Sequence, residues 1–272
     1  MSDRRDAWVA QMTAARSLRT FLDLCKDARV DVVVVKGAVT GFLLYDDVAE
    51  RTLTDVDVRV RPRDLRTVER AVRARGLRVL ERDDVYEKLA IELGGIAIDV
   101  ECHVGAPFLT RLSVETLLEG AHEVRHPMGF SVPVPSTEHH ALVLAVNVFK
   151  DKVDRASARA VEDARRIVLA GDFDPARFLA ATRRARAATL VYVVAAHLAE
   201  RSPMWAEVRD ALRQEARKAF VAAEGVLSRA PEGVVYRLLC RAASDDARDW
   251  APALAHALVF ELRRNGAARA RR

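Results

Sequence analysis

Two aspartates, Asp55 and Asp57, stand in a stretch where polar and apolar residues alternate. A period of two is typical of a β-strand, whose successive side chains point to opposite faces, so both carboxylates should lie on one face about 7 Å apart. Carboxylates at that separation repel each other unless a cation lies between them. Mg²⁺ prefers hard oxygen ligands and is usually bound by one or two carboxylates together with substrate phosphates. The pair therefore predicts a magnesium site, although Asp-x-Asp alone also occurs in ordinary acidic strands.

A second stretch, upstream of the aspartates, could bind phosphate. The β-branched run at residues 32–35 predicts a buried strand. It ends at Lys36-Gly37, and a glycine at such a place lets the backbone approach a ligand closely. A short helix is predicted over residues 38–45, and its first N–H groups could face a phosphate. A lysine–glycine strand end followed by paired carboxylates is the arrangement that nucleotidyl transfer needs.

A hairpin further along the chain offers a third carboxylate. Gly94-Gly95 between two strand-like runs is a strong turn signal. In the second run Asp99, Glu101 and His103 face one way, opposite to the apolar positions. We expect this strand to lie antiparallel beside the first carboxylate pair and to bring either Asp99 or Glu101 to the metal. Spacing alone leaves the choice between them open.

The residues named so far belong to a longer pattern. In chain order it consists of Lys36-Gly37, Tyr45, Arg51-x-x-x-Asp55-x-Asp57 and Arg63-Asp64-Leu65. This pattern resembles the uncharacterised bacterial nucleotidyltransferase family of the polymerase-β superfamily, and the resemblance covers roughly residues 20–170. Its motifs are specific in combination rather than singly.

The resemblance implies a reaction and its metal ligands. A nucleotidyltransferase of this kind moves an NMP from an NTP to a hydroxyl-bearing acceptor and releases pyrophosphate. Asp55 and Asp57 would hold two Mg²⁺ ions, for which Mn²⁺ could substitute. Family members have an acidic residue two places before a histidine, which matches Glu101 and favours it over Asp99 as the third ligand. The resemblance does not identify the acceptor: a small molecule, a peptide or protein, and a tRNA are the alternatives.

Residues that bind the triphosphate also follow from the resemblance. Lys36, Gly37 and Arg51 are expected to do so, since the arginine fork suits phosphate geometry. Family members carry a histidine and a basic residue in the helix predicted here over residues 137–153. Lys150 is interpreted as that basic residue and as a further triphosphate contact.

The acceptor side is less completely matched. In similar family members an aspartate follows in the next helix, and Asp163 matches it. Asn147 stands about where the helix histidine is expected, which leaves the acceptor-side chemistry open. His103 and Asp163 are expected either to support the metal ligands from behind or to lie on the acceptor side of the site.

The patterns along the chain predict an α+β fold, with a small mixed β-sheet nucleotidyltransferase core and flanking helices, followed by a C-terminal helical bundle. We expect the core at residues 1–135 and the helical domain at 136–272. Besides the hairpin, strands are expected at 31–36, 55–60, 77–82 and 130–134. Helices are expected at 4–28, 62–75, 137–153, 155–170, 175–199, 204–228, 232–242 and 249–264.

Composition narrows the classes of protein that need considering. The 272 residues carry a formal net charge of +5, which favours phosphate-bearing partners and gives modest support to tRNA. The three cysteines lie far apart and indicate neither a zinc site nor a disulfide framework. The chain contains no apolar stretch long enough to cross a bilayer and no signal peptide at its N-terminus, so we expect no membrane partner and a cytoplasmic protein. The alternative function is a catalytically inactive nucleotide-binding or scaffold module with the same fold.

Overall fold

Five short strands form a mixed sheet in the N-terminal part of the chain. The strands are β1 (Val33–Val35), β2 (Asp55–Arg59), β3 (Arg78–Asp83), β4 (Lys88–Leu93) and β5 (Ile96–Glu101), in the spatial order β1-β2-β5-β4-β3. The computed structural model describes residues 2–151, 156–222 and 243–259. The expected hairpin at Gly94-Gly95 is confirmed as the β4–β5 turn.

The central pair of strands, β2 and β5, runs parallel, and all other neighbours in this sheet run antiparallel. The antiparallel arrangement that we expected for β2 and β5 is therefore wrong. The reason lies in the connection. Helix α3 (Leu65–Ala74) carries the chain back after β2, so that β3 starts again in the same direction, and two hairpin reversals through β4 leave β5 parallel to β2.

One face of the sheet is covered by helices α1 (Ser2–Asp27) and α3, as their apolar spacing predicts. The helix α2 (Gly37–Leu43) follows β1 directly. The core between helices and sheet is made of fully buried apolar side chains, among them Leu18, Phe21, Leu24, Val34, Val56, Val58, Val68, Val72, Ile91, Ile98 and Val100. Because strand residues alternate, the polar positions of β2 and β5 lie on the opposite face.

Residues 105–135 contain more structure than their proline and glycine content suggests. We expected irregular connections around one strand, but this segment holds a helix, α4 (Val114–Glu119), and a two-stranded ribbon of β6 (His122–Arg125) and β7 (Ser131–Val134). The Ser113 hydroxyl accepts a hydrogen bond from the Thr116 backbone N–H, which caps this short helix.

The rest of the described chain is helical, with α5 (Thr137–Lys150), α6 (Ala158–Ile167), α7 (Pro175–Arg184), α8 (Ala188–Leu198), α9 (Pro203–Leu212) and α10 (Lys218–Ala222), and a further helical stretch up to residue 259. The single helix expected over 175–199 is two helices, because Arg186 adopts a φ of 50° and breaks the chain between them. The helix expected at 232–242 lies outside the described residues. These elements confirm the α+β class, with a mixed sheet, flanking helices and helices following.

The chain divides into two compact units. The first comprises Met1–Val104, Ser113–Val143 and Ala170–Phe173, and the second comprises Gly105–Leu112, Leu144–Leu169 and Asp174–Arg272. The second unit has its own core, in which Trp205 meets Phe178 edge-on and donates its indole N–H to the Ala164 carbonyl at 2.8 Å. The division at 135/136 stays a prediction. No helix among the described residues is both long and apolar enough to cross a membrane.

Candidate active site

Acidic side chains meet on the polar face of the two central strands. In the β2–β5 ladder Asp57 lies opposite Asp99, and Arg59 lies opposite Glu101. Opposite residues of neighbouring strands share a face, so the register places these side chains together. Carboxylate oxygens of Asp57, Asp99 and Glu101 all lie within 4.8 Å of one another. Such a set of oxygen ligands is suited to a hard cation such as Mg²⁺.

Asp55 lies on the same face of β2, two residues before Asp57, and is opposite Ala97 of β5. Its carboxyl accepts a hydrogen bond from the Thr54 hydroxyl at 3.1 Å. Burial raises the pKa of the Asp55 carboxyl, and the negative charges of Asp57 and Asp99 raise it further. Asp55 therefore shares the electrostatic environment of the cluster, and a cation bound among these carboxylates would favour its ionised form.

Three cations contact the acidic face in the part of the chain that the structure describes. The Lys36 ammonium lies 2.5 Å from Asp57 Oδ1, and the Lys88 ammonium lies 2.9 Å from Asp99 Oδ2. Burial lowers the pKa of Lys88, but its hydrogen bond to Asp99 and the negative charge there outweigh burial and leave the pKa raised. The four carboxylates thus face two lysines and one arginine, Arg59.

Arg59 is almost completely buried, with 1% of its surface exposed. Its guanidinium lies 2.6 Å from Glu101 Oε2 and 4.0 Å from Asp57 Oδ1. A buried arginine needs a counter-charge, so Glu101 has a structural partner that constrains its carboxylate. Asp99 is paired instead with Lys88, whose side chain is 25% exposed against 2% for that of Arg59.

The triphosphate-binding residues expected from the sequence also lie together. A Cβ atom at Gly37 would come within 2.7 Å of Leu53 Cδ2 and 2.8 Å of Arg51 Nη2, so only glycine lets the Arg51 guanidinium approach the backbone here. Gln11 of α1 donates its amide N–H to the carbonyls of Val48 and Arg51 and so fixes the segment before β2. Lys36, Gly37 and Arg51 thus form a basic patch at the end of β1, beside the carboxylates.

Comparison with known proteins identifies the group to which this site belongs. The sequence model of the family described as uncharacterised nucleotidyltransferase matches residues 2–227. The chain belongs to this family. The expected family and the expected class of enzyme, a nucleotidyltransferase, are thereby confirmed.

One solved structure with some similarity to this nucleotidyltransferase is the solution structure of the antibiotic-resistance factor ANT(2'')-Ia. Its sequence is 14% identical, the match covers 81% of this chain and all of that chain, and the TM-score is 0.47. Another is the Thermotoga maritima CCA-adding enzyme complexed with tRNA, at 12% identity, with 92% of this chain and 85% of that chain covered and a TM-score of 0.30. No curated protein matches the chain.

The sequence of the nucleotidyltransferase also pointed to His103, Lys150 and Asp163. His103 follows β5, and its Nε2 lies 2.9 Å from a Glu87 carboxylate oxygen. Lys150 ends α5 and is exposed, whereas Asp163 is buried within α6. Both belong to the second unit, as does Asn147, so the structure assembles the cluster of the first unit without them. The roles of His103, Lys150 and Asp163 stay predictions.

Three residues of this site were missed in the sequence. Arg59 continues the period of two that starts at Asp55 and Asp57, and that pattern could have revealed it. Lys88 lies in the first arm of the hairpin, opposite Glu101 in the second arm. It could have been found only by aligning the two arms residue by residue. His140, whose ring accepts a hydrogen bond from Lys36, carries no local signal because it lies 104 residues further along the chain.

Proposed function

We propose that this nucleotidyltransferase transfers an NMP from an NTP to a hydroxyl-bearing acceptor in a reaction that depends on Mg²⁺. The acceptor oxygen forms a new bond to the α-phosphorus, the bond from that phosphorus to the pyrophosphate oxygen breaks, and the hydroxyl proton is released through a carboxylate of the cluster. The observation that carries the proposal is the β2–β5 register, which places Asp57 beside Asp99 at the end of the sheet that holds Lys36.

Asp55, Asp57 and Asp99 are the residues that would hold the metal. The contacts support Asp99 over Glu101 as the third ligand, because Asp99 is the direct neighbour of Asp57 and Glu101 is bonded to the buried Arg59 at 2.6 Å. Two bound Mg²⁺ ions, or Mn²⁺ in their place, would supply acidification of the acceptor hydroxyl and neutralisation of the leaving pyrophosphate. Glu101 then serves to keep Arg59 paired behind the ligands.

The basic patch at the end of β1 would bind the donor phosphates. Lys36 lies 2.5 Å from Asp57, so its ammonium is within reach of a phosphate bound at that carboxylate. Arg51 lies against Gly37 and offers a planar set of donors that matches two phosphate oxygens. Lys150 is proposed as a further phosphate contact, and His103 and Asp163 as residues behind the ligands or on the acceptor side.

One observation favours a second candidate function, an inactive nucleotide-binding or scaffold module. Clustered carboxylates would be costly without counter-charges, but here Lys36, Lys88 and Arg59 supply them from within the chain. The acidic face can therefore persist in a protein that never binds metal. The two candidates differ in whether nucleotide binding needs a divalent cation and whether pyrophosphate is released.

Calorimetry with each of the four NTPs, with and without Mg²⁺, distinguishes them. For the enzyme we expect metal-dependent binding of at least one NTP, its loss in the Asp55→Ala/Asp57→Ala double variant, and its retention in Glu69→Gln. Glu69 is a matched control because its carboxylate lies on α3, where it pairs with Arg73 at 2.8 Å. The binding NTP, labelled in its α-phosphate, then serves to screen hydroxyl acceptors: small molecules, peptides and proteins, and tRNA. Binding that ignores Mg²⁺, or no binding of any NTP, would overturn the proposal.

A further inference from the structure

The backbone of Lys36 departs from the strand that precedes it. Its φ is 58° and its ψ is −141°, a combination that glycine adopts easily and other residues rarely do. A residue with a side chain stays in such a conformation only where the surrounding structure holds it there, and such residues are frequent at functional sites.

This conformation decides where the Lys36 side chain points. In the β1–β2 ladder Val35 lies opposite Asp57, so Val35 shares a face with the carboxylates. Regular alternation would send Lys36 to the other face, where Val34 lies in the apolar core. The left-handed backbone breaks the alternation, and the Lys36 ammonium reaches Asp57 at 2.5 Å.

The carbonyl of Lys36 accepts hydrogen bonds from the Val39 and Thr40 backbone N–H groups of α2, and its N–H is bonded to a buried side chain. The Lys36 N–H donates to Nε2 of His140 at 3.0 Å, and His140 is 2% exposed. Burial lowers the pKa of His140 to about 4, so its ring is neutral at pH 7 and its Nε2 can accept the bond. His140 lies in the first turn of α5, which follows β7, and β7 packs beside β1. All of these residues belong to the first unit.

We infer that His140 is a positioning residue, which fixes the left-handed backbone of Lys36 and thereby aims the Lys36 ammonium at the carboxylates and at the donor phosphate. The second part of this inference rests on the proposed function; the first part concerns the metal-free protein alone. His140 contacts neither the carboxylates nor, in this proposal, the nucleotide.

A double-mutant cycle tests whether His140 acts through Lys36. The cycle consists of His140→Leu, which keeps the side-chain volume but removes the hydrogen-bond acceptor, of Lys36→Met, and of the double variant His140→Leu/Lys36→Met. A further variant, His140→Gln, has an amide oxygen that can replace Nε2 as the acceptor. His139→Leu is the matched control, since His139 is the adjacent helix residue and bonds Ser136. Two quantities are measured: the affinity for the Mg²⁺–NTP pair that binds the wild type, and hydrogen exchange of the Lys36 amide without ligand.

We expect His140→Leu to weaken nucleotide binding by about 10- to 100-fold, as a lost charge-assisted phosphate contact does, and to speed exchange of the Lys36 amide. His140→Gln should restore both within a few-fold, and His139→Leu should change neither. With Lys36→Met present, His140→Leu should cost no further affinity. Additive losses in the double variant, or equal losses in His140→Gln and His140→Leu, would show that His140 merely supports the fold and would overturn the inference.

Two further results keep the outcome decisive. If the wild type binds no NTP, the proposed function fails, and exchange of the Lys36 amide in His140→Leu and His140→Gln then decides the positioning role by itself. If His140→Leu does not fold, the ¹⁵N signal of His140 Nε2 in the wild-type protein decides: an unprotonated, hydrogen-bonded nitrogen is expected at pH 7, and a protonated Nε2 contradicts the role.

Discussion

Asp55 and Asp57 lie on the same face, but replacing each with asparagine should change stability in opposite directions. From the sequence alone, Asp57→Asn would be expected to leave stability unchanged or to raise it, because it relieves repulsion between carboxylates. In the structure Asp57 is the counter-charge of Lys36, at 2.5 Å, with side chains 10% and 14% exposed. Asp55 has the Thr54 hydroxyl as a partner and a pKa raised by burial and by the charges of Asp57 and Asp99. The relief of repulsion is therefore expected at Asp55.

The magnitude follows from the degree of burial. Removing one partner of a fully buried ion pair costs about 3–5 kcal/mol, and the residual exposure of Lys36 and Asp57 reduces this to about 2 kcal/mol for Asp57→Asn. In a protein of this size that corresponds to a melting temperature roughly 4–8 °C lower. Asp55→Asn removes a charge that burial and its neighbours disfavour, so we expect stability unchanged or raised by up to about 1 kcal/mol.

Urea unfolding at pH 7 in the presence of EDTA measures both variants without metal. Glu69→Gln, which removes the carboxylate that lies 2.8 Å from the exposed Arg73 and 3.7 Å from Arg82, should cost less than about 1 kcal/mol and serves as the control. Lys36→Met/Asp57→Asn removes both charges and should recover most of the loss of Asp57→Asn. Equal effects of Asp55→Asn and Asp57→Asn, or a double variant less stable than Asp57→Asn, would refute the reasoning.

Four variants probe the site and its support. Asp99→Asn should lower metal-dependent turnover at least about 100-fold. Glu101→Gln should mainly lower the melting temperature, with a smaller effect on turnover, because it leaves a buried arginine without its counter-charge. Steady-state kinetics and melting curves of the two variants check this. Gly37→Ala should displace the Arg51 side chain and weaken NTP binding about 10-fold with little change in stability, which calorimetry measures. The pKa of His140 is about 4 in the native protein against 6.5 in the unfolded chain, so the unfolded chain binds more protons between these values and stability falls as the pH falls from 6.5 to 4. This should cost about 2 kcal/mol between pH 7 and pH 5. Urea unfolding should show a smaller loss over this range in His140→Gln than in wild type; equal losses would contradict the buried neutral ring.

Local patterns predicted the elements that carry the carboxylates. The period of two at Asp55 and Asp57 and the glycine pair before Asp99 are properties of short segments, and the structure has β2 and the β4–β5 hairpin where they indicate. The parallel pairing of β2 with β5 could not be predicted this way, because it depends on how α3 returns the chain. The same limit explains Lys88, whose relation to Asp99 exists only once the strands are paired.

The charges of the site also suggest why a metal and a nucleotide would bind together in the proposed function. Without ligand, one oxygen of Asp57 and one oxygen of Asp99 are bonded to lysines, so a cation that binds these oxygens displaces the ammonium groups of Lys36 and Lys88. An ammonium released within a partly buried site needs another anion, because an uncompensated buried charge is costly. The triphosphate of the donor supplies that anion next to the same lysines. Each ligand therefore lowers the cost of binding the other, and by linkage the gain in affinity must be equal for both.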